Sequence, residues 1–301
     1  METKTKRLSH DAYTVALLTP LEVELSPMRY MLDEEHQPLP SARGDPNNYV
    51  LGRLCQHNVV IASLPAGYQG TISAAVVARD LARTFPSVTL RLLVGIGGGV
   101  PSDNTDIRLG DVVVSVPSGT QGGVVQYDLG KQTTTGFQRN SCAPRPMNGW
   151  LFSRECNPIT AFPALSEYKR PSPETDILFK SNYDHCMGKP TCQSCDIQKT
   201  VPRHKRSAPD RSFVHYGVIA SGDRVMKNAK KRDMISKSSE GAICFEMEAA
   251  GLMNDFRCIV IRGISDYADS HKNDIWHPYA AAAAAALAKE LLSYLEVSGR
   301  K

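Results

Sequence analysis

Ile259-Val-Ile261 is an apolar run with the β-branched character of a buried strand, and directly beyond it stands Arg262-Gly-Ile-Ser-Asp-Tyr-Ala-Asp269. A strand buried on both faces needs a layer above and a layer below, and Asp266 at its C-terminal end lies where open α/β sheets collect ligands. Just ahead, Cys244-Phe-Glu-Met-Glu-Ala-Ala250 adds two more carboxylates. By spacing alone, Glu246 and Glu248 fit the polar face of a helix start as well as they fit a binding site. Asp266 likewise fits a loop carboxylate capping the next turn.

The rest of the chain follows a strand and helix rhythm. Residues 13–18 read as a strand and 21–32 as a short helix with Pro27 in its first turns. Residues 51–54 and 59–64 pair as a hairpin. Ile72, Ala75, Val76, Ala78, Leu81 and Ala82 recur at helical spacing over 71–85, which Pro86 ends. Residues 90–94 form a strand, and Gly95-Ile-Gly-Gly-Gly99 is expected to turn the backbone sharply. Residues 111–116 are a Val-rich strand, and 213–221 resume the core after an interruption. The alanine run within 278–295 forms a closing helix with no catalytic role. This is the pattern of a layered α/β fold. Residues 140–211 break it with many prolines, a short helical stretch at 159–167 and a basic run at 199–206, and read as a loop-rich insertion.

Composition excludes more than it selects. The formal charge of +4 comes from 35 basic against 31 acidic side chains, too even a mixture to point to nucleic acid. The basic run lacks interleaved aromatics and reads as a solvated face or an acidic-partner surface. No stretch has transmembrane length and no apolar leader follows Lys4–Arg7, so a cytoplasmic protein with a flexible tail at 1–12 is expected. Eight irregularly placed cysteines, Cys55, Cys244 and Cys258 among them, fit reduced core thiols. The glycine run is not GxGxxG, which disfavours a dinucleotide site.

Five ordered motifs carry a resemblance: Val15-Ala-Leu-Leu-Thr-Pro-Leu-Glu-Val-Glu-Leu25, Leu90-Arg-Leu-Leu-Val-Gly-Ile-Gly-Gly-Gly99, Asp106-Ile-Arg-Leu-Gly-Asp-Val-Val-Val-Ser115, Ile219-Ala-Ser-Gly-Asp223, and FEMEAA with RGISDYAD. The chain resembles the nucleoside phosphorylase and nucleosidase superfamily, in particular its fungal branch of standalone or receptor-fused domains. The resemblance implies a three-layer α/β/α sandwich around a mixed, partly barrel-like sheet, one catalytic domain at 13–296 with a short tail at 297–301, and a homodimer. It implies that Glu248 accepts hydrogen bonds from both ribose hydroxyls, with Met247 as an apolar floor. Asp266 protonates the purine N7 as the glycosidic bond breaks, and Glu24 deprotonates the attacking water. Gly97, Gly98, Phe245, Ser221 and Asp223 border the base. Glu22, two positions before Glu24, faces elsewhere on a helix.

Departures from the family pattern narrow the reaction. Base-specific phosphorylases carry Arg and, three residues on, Ser or Thr at the glycine loop; Leu93 and Ile96 stand there, and neither binds phosphate. Arg91 and Arg108 are not evident substitutes. Val225 replaces an aromatic that stacks on the purine in bacterial nucleosidases, so methylthioadenosine specificity does not carry over. The expected activity is purine nucleoside hydrolysis to base and ribose, without a cofactor. Phosphorolysis and a noncatalytic nucleoside-sensing domain are the alternatives. In the insertion, Cys192-Gln-Ser-Cys195 has metal-ligand spacing with Cys186 and His185 as further candidates. Adjacent residues do not easily turn to one ion, so free thiols or a local disulfide rank ahead of a metal.

Overall fold

Apolar strands through the middle of the chain require cover on both faces, and helices supply it. The structure, a computed structural model, describes residues 6–119, 122–134, 136–139, 155–156, 168–189, 191–208 and 210–296. Its strands are β1 (Val15–Leu18), β2 (Glu34–Glu35), β3 (Tyr49–Leu54), β4 (His57–Ala62), β5 (Leu90–Gly99), β6 (Val112–Ser115), β7 (Val124–Gln126), β8 (Gly130–Thr133), β9 (Gly136–Arg139), β10 (Glu155–Cys156), β11 (Ser212–Gly217), β12 (Ile219–Ser221), β13 (Cys244–Glu246) and β14 (Ile259–Asp266). The α-helices are α1 (Glu22–Tyr30), α2 (Thr71–Thr84), α3 (Ala229–Ser238), α4 (Ala249–Leu252) and α5 (His277–Tyr294).

The main sheet runs β10-β11-β6-β14-β5-β1-β4-β3-β2, with β13, β12 and β7 branching from β5. Strands β1, β4, β5 and β14 are parallel, whereas β14 meets β6 antiparallel, which makes the sheet mixed. Successive side chains of β1 go to opposite faces. Val15 and Leu17 join Met28 of α1 and the alanines of α5, while Ala16 and Leu18 join Ala74, Val77 and Leu81 of α2. The result is a three-layer α/β/α sandwich. The small side chains of α5 let it lie close against β14 and β5.

Strand β5 organises the site. Along one edge it pairs with β14 from Leu92 to Gly98. Along the other it pairs with β1 only as far as Leu93, and with β13 only at Gly98 and Gly99. Between these partners the edge is unpaired, and β1 and β13 diverge around a crevice at the strand ends, where α/β sheets bind ligands.

The glycine run therefore differs from expectation. Gly95 to Gly99 are not a turn but the second half of β5, and none has a positive φ. Their missing side chains make room for the site. The basic run differs in part: Arg203 and Arg206 fold inward onto Asp176, Asp106 and Asp111, while Lys199 and Lys205 stay exposed. From Lys6 onward the N-terminal segment is held, with Lys6 O accepting from Gln37 N at 2.9 Å and the His10 ring tilted against Phe85. The helical stretch expected at 159–167 and the tail at 297–301 lie outside the described residues.

Candidate active site

Arg262 on β14 is the centre of the crevice floor, fully buried and ringed by carboxylates. Its Nη2 donates to Glu246 and, at 3.2 Å, to Glu248 Oε2, while Nη1 lies 3.6 Å from Glu24 Oε1. One guanidinium facing three carboxylates leaves the floor net negative, and Arg262 stays charged at any ordinary pH.

Glu24 is placed by the first turn of α1. Its Oε2 accepts from Leu21 N at 2.7 Å, the return bond of a helix cap, and its Oε1 accepts from Ile96 N at 2.7 Å. The second bond satisfies an N–H of β5 in the gap between β1 and β13. Burial pushes the Glu24 carboxyl up to about 7, against the pull of Arg262 and with a further push from Glu248. A group poised there exchanges protons at neutral pH. Glu22, in contrast, is exposed.

Glu246 and Glu248 divide the two roles open to them in the sequence. Glu246 ends β13 and caps α4, accepting from Ala249 N at 3.0 Å and Glu248 N at 3.1 Å. Glu248 turns to the cavity, with Oε1 taking Gly70 N at 3.2 Å. Burial raises its carboxyl above the ordinary value, opposed by Arg262 and reinforced by Glu246. Each Glu248 oxygen still has a lone pair for a ligand hydroxyl.

Asp266 sits at the end of β14, where a bulge at Ser265 sets it opposite Gly98. Its Oδ1 accepts from Ala268 N at 2.8 Å, and its Oδ2 meets Lys272 Nζ at 2.8 Å and Ser265 Oγ at 3.1 Å. A side chain at Gly98 would come within 2.8 Å of Asp266 Oδ1, and one at Gly95 would collide with Glu24 and Arg262.

Glu24, Gly97, Gly98, Phe245, Met247, Glu248 and Asp266 all line one cavity. Ser221 and Asp223 are not among its lining side chains. Ser221 Oγ accepts from Ala250 N at 2.9 Å, and Asp223 accepts from Thr71 N at 2.7 Å, tying their loop to α4 and α2. Leu93 is buried in the core, and Ile96 offers the cavity only an aliphatic side chain. Arg91 lies over the Phe256 ring and Arg108 pairs with Asp106, so neither reaches the cavity. Among the described residues, Lys272 and Arg224 are the lysine and arginine of the lining. Sequence reasoning missed Arg262 and Lys272; a charged residue inside the apolar run of β14 is the signal that marks the first.

Residues 14–296 match the sequence profile of the Phosphorylase superfamily. A nucleotide-binding leucine-rich repeat (NLR)-like protein of Hyaloscypha variabilis is 41% identical over 310 residues, covering 98% of this chain and 30% of that protein. A death domain-containing ATP nucleosidase of Amphimedon queenslandica is 24% identical over 244 residues, 78% of this chain and 39% of that protein. The chain thus spans well under half the length of these relatives. Among solved structures, the 5'-methylthioadenosine/S-adenosylhomocysteine nucleosidase of Neisseria meningitidis superposes with a TM-score of 0.58 at 21% identity, covering 94% of this chain and 99% of the other. The futalosine hydrolase of Helicobacter pylori does so with a TM-score of 0.55 at 20% identity, covering 95% and 100%. At such identities the likeness is one of fold.

Proposed function

The chain belongs to the phosphorylase superfamily, and on that footing we propose that it is a purine nucleoside N-ribohydrolase, splitting the N-glycosidic bond with water to give free base and ribose. The observation that carries this reading is the cavity floor. Its buried cation, Arg262, is already engaged by Glu24, Glu246 and Glu248. A negative floor repels phosphate and favours positive charge developing on a sugar ring.

Glu248 takes the ribose hydroxyls, and Met247 lies beneath the ring. Glu24, fixed by two backbone N–H groups, receives a proton from water attacking the anomeric carbon. Asp266 delivers a proton to the purine N7 and regains one from solvent after the base leaves, while the Lys272 ammonium at 2.8 Å holds its carboxyl in place. Gly97, Gly98 and Phe245 wall the base, while Ser221 and Asp223 hold that wall from behind. Val225 provides little stacking, which supports a substrate other than methylthioadenosine.

A 5'-phosphorylated purine nucleoside is the second reading. The exposed Arg224 at the cavity and the relative named as an ATP nucleosidase support it. The Hyaloscypha relative supports the fungal branch and an enzyme domain within a longer receptor-like protein. A homodimer in the cytoplasm completes the proposal; among the described residues no helix is long and apolar enough to cross a membrane.

The test is product identity by chromatography with adenosine, inosine, guanosine and their 5'-phosphates, with and without phosphate. Base and ribose, or ribose 5-phosphate compounds, formed in phosphate-free buffer are expected. Phosphate-dependent ribose 1-phosphate overturns hydrolysis, and binding without release of base overturns catalysis.

A further inference from the structure

On the insertion, 184–189 and 191–196 fold so that three metal-ligand side chains converge. The ligand atoms of His185, Cys192 and Cys195 lie within 4.8 Å of one another. Cys192–Ser194 form a 3-10 turn closed by Cys195 N donating to Cys192 O at 2.9 Å, which brings both thiols to one side of the backbone. The structure chooses His185 from the adjacent pair that sequence spacing left competing, and Cys186 instead donates to Ser194 O at 3.3 Å in the same turn.

We propose that His185, Cys192 and Cys195 bind a zinc ion that closes the insertion loop lying against the turn that carries Lys272. Two thiolates and an imidazole suit zinc in tetrahedral geometry, with Zn–S of about 2.3 Å and Zn–N of about 2.0 Å. Such a sphere draws the three groups together by about an ångström from their present spacing. Water supplies the fourth position. Zinc takes both thiols as thiolates, so its binding displaces their protons.

The closed loop has a definite neighbour. His185 N donates to Ser270 Oγ at 3.0 Å, and Cys192 Sγ lies 3.8 Å from His271 O. The His271 ring is stacked on Phe179 with centroids 4.0 Å apart. The next residue is Lys272, the partner of Asp266. The ion thereby fixes the loop beside the turn that positions the Asp266–Lys272 pair. Only this last consequence rests on the hydrolase reading; metal content and stability do not.

The experiment uses the full chain, purified reduced and free of any tag. About one zinc per chain by elemental analysis is expected. Cobalt(II) added to the metal-free protein should give thiolate charge-transfer and tetrahedral d–d bands. Chelation should lower Tm and zinc should restore it, with both responses absent in Cys192→Ser/Cys195→Ser. If that variant does not fold, the cobalt spectrum of the wild-type protein still decides. A reduced protein that takes up neither zinc nor cobalt overturns the proposal. So does metal binding that survives the double substitution, or a Cys192–Cys195 disulfide, seen by mass as the loss of two hydrogens, that persists under mild reduction. Intact zinc binding with no nucleoside cleavage would sink the hydrolase reading and leave the metal site standing.

Discussion

Glu24 loses its water on burial, and this both raises its carboxyl to about 7 and fits it to accept a proton in neutral solution. The base must be ionised, and its ionised fraction rises with pH. The acid limb of kcat/KM is therefore expected to climb through an apparent pKa near 7. Glu24→Gln should remove that limb and lower kcat by about 10²- to 10⁴-fold. A variant retaining both rate and limb would remove Glu24 from the chemistry. In the proposed reaction Asp266 serves the leaving group instead. Asp266→Asn should slow cleavage of natural purine nucleosides by a similar factor, chiefly in kcat. A riboside of 4-nitrophenol, whose anion leaves without protonation, should be cleaved by this variant nearly as fast as by the wild-type protein. Equal losses on both substrates would show that Asp266 binds rather than protonates.

At the scale of elements, β5 explains both what the sequence revealed and what it hid. Its apolar first half was legible as a strand, as were β14, the β3–β4 hairpin and helices α2 and α5, because burial writes periodicity directly into residue type. The glycines were misread as a turn because glycine permits a turn and also permits close approach, and only the neighbours distinguish the two. Here the neighbours are Asp266 and Ala268 at Gly98, which belong to another strand and the loop after it. Arg262 escaped notice for a related reason: its partners Glu24, Glu246 and Glu248 come from α1, β13 and the start of α4, and no local pattern links them. The motif carboxylates were legible, but the guanidinium that arranges them was not. The strand reading makes a sharp prediction at Gly98. Gly98→Ala puts a methyl group 2.8 Å from Asp266 Oδ1 and 2.8 Å from the Ala268 side chain, in extended backbone that alanine tolerates. The expected outcome is a folded protein, destabilised by about 1–3 kcal/mol, whose kcat falls far more than Tm would suggest. Far-UV circular dichroism with steady-state kinetics checks it; unchanged kcat would mean that the acid does not need that wall.

Across the whole molecule, buried charge joins the described part of the insertion to the layers of the sandwich, beside Leu178 in the core and Phe179 stacked on His271. Arg203 reaches Asp176 at 2.9 Å and the Tyr267 hydroxyl at 2.7 Å, and Arg206 makes a two-pronged contact with Asp111, 2.7 Å to each oxygen. Asp111 is fully buried and also accepts from Arg108 N, Phe213 N and His215 Nε2. Burial pushes its carboxyl up, but hydrogen bonds from Arg206 and His215, with their charges, outweigh that and hold it below the ordinary value. A carboxyl depressed in the folded state contributes stability above its unfolded pKa of about 3.9, and that contribution is lost as pH falls through the lower folded value. Arg206→Met keeps an aliphatic stem but removes the guanidinium, which lies over Phe213, and leaves the buried carboxylate short of its strongest partner. At neutral pH the loss should be about 3 kcal/mol, the low end for breaking a buried pair, since the other three donors remain. The gap between wild type and variant in urea unfolding should then narrow as pH is lowered below about 4, because both proteins come to carry a protonated Asp111. A gap of constant size from pH 7 to pH 3 would mean that Arg206 acts by packing alone and that charge does not join the insertion to the core.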